Sequence, residues 1–243
     1  MHKKTPLKKA VLAALWAFFT TSCVGLNLAP NKAPPPHEEL SYWLTTSMYA
    51  GSFYDNKKVA LFDHRPFSAI KDVTTPDGKD ISPPKESKVV PAGTLVRVMR
   101  IDYPDTATKF RRPLYSPRHN VWVYCQVAKE RGRVSIFESE PYIMVLPSFV
   151  TNEAEVREYL KQFLSTTDPN PWLLTQRKYV QTAIWSKQPA IGMTERHLLA
   201  ALGPALHRTN KSTKTINTQV WEYPDYLVTL EDNEVARVTA LRN

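Results

Sequence analysis

Lys109, Arg111, Arg112, Arg118 and His119 crowd one short stretch, interleaved with Tyr115 and Pro117. Guanidinium forks grip phosphate or carboxylate at two points, so a cluster of this kind can bind an anion. The same residues also fit a solvated loop entering a strand, where cations simply face water. The chain has two cysteines, Cys23 and Cys125. Cys125 sits in the alternating run Val121–Val127 with no base or helix N-terminus beside it. A buried small hydrophobe is the expectation there, and a reactive thiol is not. The six histidines are His2, His37, His64, His119, His197 and His207, and they show no ligand spacing. Asp77 and Asp80 flank Gly78, yet they do not complete a calcium loop. No Gly-x-Ser-x-Gly elbow, His-Glu-x-x-His helix or phosphate-cradling glycine loop occurs. The expectation is therefore a protein with no catalytic residues, no metal and no cofactor.

Cys23 owes its interest to what precedes it. Lys3, Lys4, Lys8 and Lys9 form a positive start, and Ala10 to Phe19 is apolar. That run is too short to span a bilayer, which takes about 20 residues, so residues 1–22 read as an export signal. The exit Thr20-Thr21-Ser22-Cys23 resembles a bacterial lipobox, although Thr20 stands where Leu is usual. The resemblance implies thioether-linked diacylglycerol on Cys23 and a membrane partner through that lipid. Ordinary cleavage before Cys23 is the alternative, because Thr20 and Ser22 also fit a small-x-small rule. The formal net charge is +9, but part of it belongs to the leader. What remains is a mild excess, suited to lipid head groups or cell-wall polymer and short of nucleic-acid binding.

The elements around these residues divide by composition. Proline is frequent (20) and glycine scarce (7), so stiff loops outnumber tight glycine turns. Residues 23–39 carry Pro30, Pro34, Pro35 and Pro36 and form an extended tether. Residues 40–149 read as β-rich, with short strands between turn signals such as Thr75-Pro76-Asp77-Gly78 and the charged hairpin Lys129–Arg133. The Pro91-Ala92-Gly93-Thr94-Leu95-Val96 turn resembles bacterial SH3-like domains, which implies a small β-barrel. Residues 150–168 hold a connecting helix and a hinge. Asn152 and Glu155 form a capping box, and Val156, Tyr159, Leu160, Phe163 and Leu164 share one helical face.

Residues 169–243 read as helix, helix, then a three-stranded antiparallel meander. Thr194 is a helix N-cap, with Met193 and Leu198 at staple spacing. Gly203-Pro204 ends that helix. Gln219–Tyr223 and Tyr226–Leu230 then alternate, and Asp232-Asn233 turns into a last strand. Trp221 and Tyr223 share a strand face, as a core under the helices or as a partner-binding patch. Ile191-Gly192-Met193-Thr194, Leu202-Gly203-Pro204, Trp221-x-Tyr223 and Val228-x-Leu230-x-Asp232 resemble the BamE-like family of outer-membrane lipoproteins. His197 departs from that family at the position of the Glu or Gln that closes the capping box.

The resulting expectation is an α+β chain with an SH3-like middle domain, a connecting helix and a BamE-like end. The resemblance implies a lipid-anchored, periplasm-facing protein of the outer membrane that binds or scaffolds an envelope partner in assembly or integrity. Alternatives are a peptidoglycan-binding lipoprotein, given Lys109, Arg111, Arg112 and Arg118, or a protein inhibitor of an envelope enzyme. The leader makes the first prediction. Cys23→Ser should leave the protein soluble or unprocessed, while intact mass of the parent shows acyl chains on Cys23. An unmodified thiol at a mature N-terminus would contradict it.

Overall fold

Alternation along the central strands builds two apolar layers on one sheet. In β6 (Trp122–Arg131), Val123, Cys125 and Val127 face one core while Trp122 and Tyr124 face another. In β8 (Tyr142–Val145), Tyr142 and Met144 join the first core, and Ile143 and Val145 the second. A strand buried on both faces needs cover on both. The computed structural model describes residues 41–54, 58–64, 74–81, 85–131, 134–211 and 217–241. Those residues belong to one compact unit. The signal and tether, residues 1–22 and 23–39, lie outside the described residues.

The remaining strands of the large sheet are β1 (Ser41–Leu44), β2 (Met48–Ser52), β3 (Val59–Phe62), β4 (Glu86–Val90), β5 (Leu95–Asp102), β7 (Val134–Phe137) and β9 (Leu164–Ser165). Their order is β4-β2-β3-β8-β6-β5-β1-β9, with β7 attached to β6. The sheet curls into a half-barrel. Among the described residues, only the β3–β8 pair is parallel. A short helix α1 (Thr106–Arg111) sits between β5 and β6. Helix α2 (Glu153–Leu160) follows β8, and its capping box closes, with Asn152 Oδ1 accepting from the Glu155 N–H at 3.0 Å.

After β9 come α3 (Asn170–Thr175), α4 (Lys178–Trp185) and α5 (Glu195–Leu202). They pack on a second sheet of β10 (His207–Asn210), β11 (Thr218–Glu222), β12 (Tyr226–Glu231) and β13 (Glu234–Ala240), in that order. Met193, Leu198, Trp221, Tyr223 and Val228 fill the core between helices and sheet. Trp221 and Tyr223 are therefore core residues, 0% and 2% exposed. Gly203 takes φ +81° and Asn233 φ +69°, the left-handed turns that their types permit. His197 does the work of the absent Glu or Gln. Its Nδ1 accepts from the Thr194 N–H at 3.0 Å, so Nε2 carries the proton and faces Gln176 Oε1 at 2.9 Å. Burial and the neighbouring Arg196 hold its pKa below the usual histidine range, in keeping with that neutral ring.

The expected architecture is overturned. The protein is mostly β, a half-barrel sheet beside a four-stranded sheet with short helices, and not an α+β chain of SH3-like barrel, connecting helix and helix-helix-meander. The reach of the large sheet is one reason. Phe163 and Leu164 do not continue α2. They turn out of it, and Leu164 pairs with Leu44 in β9–β1. Both side chains still reach the same core, which is why a helical spacing described them equally well. Among the described C-terminal residues there are three helices and four strands. Strand β10 is exposed at every residue, so it carries no apolar alternation to read.

One corner ties the helices to the half-barrel. Ser47, between β1 and β2, donates its N–H to Ala200 O at 2.9 Å and its hydroxyl to Ile184 O at 2.6 Å. Lys187 reaches the same corner from the end of α4. Its ammonium donates to Ser47 O (2.6 Å), Leu202 O (3.1 Å) and Ala201 O (3.4 Å) and lies 5.2 Å from the Tyr49 ring centroid. The residue is 2% exposed and takes φ +56°. Gln188 N–H closes on Ala183 O at 2.9 Å, so Lys187 holds the left-handed position that glycine commonly fills after a helix. Lys187→Met keeps the bulk and removes every donor. Buried carbonyls left unpaired should cost about 3 kcal/mol or more in urea unfolding. A loss below about 1 kcal/mol would contradict the anchoring role.

Candidate functional site

A groove of about 710 Å³ opens where β4 approaches the β6–β7 hairpin. Lys88, Val89 and Val90 all line it, although neighbouring residues of a strand point to opposite faces. The groove therefore meets β4 at its edge. Among the described residues, β4 pairs only with β2, so no other described strand lies along the edge that meets the groove. Val127, Ala128 and Lys129 of β6 and Ser135 of β7 form the facing side.

The floor carries a charged cluster. Lys88 shares its strand face with the buried Val90, which aims its ammonium across the half-barrel. It donates to Tyr142 Oη at 2.6 Å. Tyr142 donates in turn to Glu138 Oε2 at 3.1 Å. Glu138 Oε1 lies 3.0 Å from Lys129 Nζ and 3.6 Å from Lys88 Nζ. Burial alone would raise the Glu138 pKa. Hydrogen bonds from Lys129 and Tyr142 and the charges of Lys88 and Lys129 outweigh it and bring the pKa below the carboxylate norm. Burial, then the Glu138 charge, raises the Tyr142 phenol above its ordinary range. The phenol thus stays a hydroxyl, a donor and acceptor held in place. The other end of the groove is apolar, with Trp43, Leu95, Leu174 and Trp185. Leu174 is 64% exposed there.

Beneath this floor lies Cys125, whose Sγ is 3.6 Å from Tyr142 O. It is 0% exposed, and burial pushes its thiol up to about 12. A thiol so protonated is a packing group, as its place in the strand implied. The groove thus offers hydrogen-bonding and charged groups with no activated nucleophile among its described residues. Cations, a carboxylate, a hydroxyl and aromatic walls suit recognition of a mixed polar and apolar ligand.

The cluster at residues 109–119 lies elsewhere, on the α1 loop. Arg112 is 5% exposed. It donates from Nη1 to Asn120 O (2.6 Å) and Arg118 O (3.0 Å) and from Nη2 to Asp102 O (2.9 Å). Its guanidinium lies 4.0 Å from the Trp122 ring centroid, and burial lowers its pKa to about 10. Arg118 donates from Nη2 to Lys109 O. Arg112 and part of Arg118 therefore hold the loop together, while Arg111 is exposed and Lys109 half-buried. Cys23 lies outside the described residues. Among the described residues, no group of three or more His, Cys, Asp or Glu side chains is placed to hold a metal.

No protein-family model, no curated protein and no solved structure matches this chain. The groove was not singled out in the sequence because Lys88, Lys129, Glu138 and Tyr142 come from separate strands and loops. The strand alternation of Lys88 with Val90 was the available signal. It shows that Lys88 faces a core, without saying what waits there.

Acid titration probes the cluster. With Glu138 ionising more readily in the folded state than its ordinary 4.5, its contribution is complete above that value. It is lost as pH falls through the lower folded pKa. Melting temperature should therefore drop between about pH 5 and 3, and Glu138→Gln should flatten part of that drop. An identical acid limb in the variant would contradict the pairing.

Proposed function

We propose that this chain is an exported, lipid-anchored binding component of a bacterial envelope, with no catalytic activity of its own. Its groove takes an extended segment of a partner protein. The observation that carries the reading is the edge of β4 at Lys88–Val90, which lines the groove and pairs with no described strand other than β2. An added strand would find main-chain donors and acceptors along that edge. Its alternate side chains would meet Lys88, Glu138 and Tyr142 on one side and Trp43 and Trp185 on the other.

The leader and Cys23 support placement in the envelope, and the pieces resembling BamE-like lipoproteins point to the same compartment. Val24, after Cys23, is not the Asp that commonly retains lipoproteins at the inner membrane, which favours the outer membrane. The tether of residues 23–39 would hold the folded part away from the membrane by its proline-stiffened length.

Peptides selected on the full chain from a random library test the groove. Bound peptides should slow amide exchange at Lys88–Val90 and lose affinity in Lys88→Glu. Peptides that bind while leaving β4 exchange unchanged would overturn this reading.

A further inference from the structure

The α1 loop is built inside out. Its cation Arg112 is buried and bonded to three carbonyls, and its largest apolar side chains point to solvent. Phe110 is 81% exposed, Leu114 62% and Tyr115 58%. The loop is firmly organised around this inversion. Asp105 caps α1 by accepting from Thr108 N–H at 2.6 Å. Ser116 Oγ donates to Pro113 O at 2.7 Å, and Trp122 Nε1 donates to Pro117 O at 3.0 Å. A loop so heavily bonded could have turned its apolar side chains inward. Three large apolar groups held outward within six residues are unfavourable in water and favourable against a less polar phase.

We infer that the α1 loop is a membrane-docking tip, with Phe110, Leu114 and Tyr115 entering the head-group region of an anionic phospholipid bilayer and Lys109 and Arg111 meeting lipid phosphates. Charge complementarity selects this occupant. Exposed Arg111 and half-buried Lys109 and Arg118 lie within the same short stretch as the apolar tip. The nearby carboxylates are engaged within the protein. Asp105 accepts from the Thr108 N–H and hydroxyl, and Asp102 pairs with Arg100 at 3.3 Å. Apolar and aromatic side chains rimmed by Lys and Arg are what an interfacial surface requires. Such a tip binds weakly alone and reinforces a lipid anchor, because stable membrane attachment takes two signals. The docking tip itself does not depend on acylation of Cys23, so the two are separable.

The test uses the full chain carrying Cys23→Ser, which removes the acylation site. Leu114→Cys is labelled with an environment-sensitive dye; the buried Cys125 is inaccessible to it. Ala236→Cys, exposed on β13, is the control position. Vesicles of phosphatidylcholine with phosphatidylglycerol should blue-shift the dye at position 114 and not at 236. Pure phosphatidylcholine should give a much smaller shift, and added salt should reduce the response. Lys109→Glu with Arg111→Glu should abolish it in a protein that still unfolds cooperatively, and Arg111→Glu alone, at the exposed position, should weaken it. No shift at 114, an equal shift at 236, or an equal shift on neutral vesicles would overturn the proposal. A shift produced by envelope proteins without lipid would also overturn it and mark the loop as a protein interface.

Discussion

The buried ammonium of Lys187 is the constraint on which the arrangement of the two sheets depends. It satisfies carbonyls at the end of α5 and the carbonyl of Ser47 between β1 and β2. A cation near a helix C-terminus interacts favourably with the carbonyls gathered there. Here the same cation also joins that helix to the half-barrel. Removing it would leave buried acceptors without donors, so the joint stands or fails as a unit. Asn170 strengthens it from another direction, donating to Gly93 O at 2.9 Å. Gly93 takes φ +87°, and a Cβ there would come within 2.1 Å of Asn170 Oδ1, so a larger residue would be strained and would displace the Asn170 amide.

That joint places the groove. The turn from β4 to β5 carries Gly93, and the same turn lines one wall together with Asn170 and Trp185. The helices therefore supply part of the lining of the groove, through Asn170, Leu174 and Trp185. The cations of the protein divide by task. Lys187 and Arg112 are internal ties, bonded to carbonyls. Lys88 and Lys129 set the charge of the groove through Glu138. Lys109 and Arg111 face outward beside an apolar tip. Residue type alone does not separate these roles, because each is a long cation near aromatic residues. Burial and partners separate them.

Several local features were legible because they rest on contacts between near neighbours. The Asn152–Glu155 capping box, the left-handed Gly203 and Asn233, and the inert Cys125 all follow from short spacings and strand alternation. The extent of the sheets was not legible, because strand pairing joins residues far apart. Leu164 shows the limit: its spacing from Leu160 satisfies a helix, yet Leu44 claims it as a strand partner. Strand β10 shows another, since its exposed residues are held by β11 and not by any pattern of their own.

The sequence by itself determined the chemistry available: four early lysines and an apolar run ahead of Cys23, a proline-rich stretch after it, a charged loop with aromatic residues, and no Gly-x-Ser-x-Gly, His-Glu-x-x-His or phosphate-loop motif. It also determined where α2 and α5 begin, since their capping depends on residues three positions apart. Tertiary structure decided which charged groups meet. Lys88 finds Glu138 and Tyr142 only because the sheet curls, and Lys187 finds Ser47 only because α4 ends against the β1–β2 corner. Such encounters depend on long-range packing and desolvation, which residue spacing does not encode.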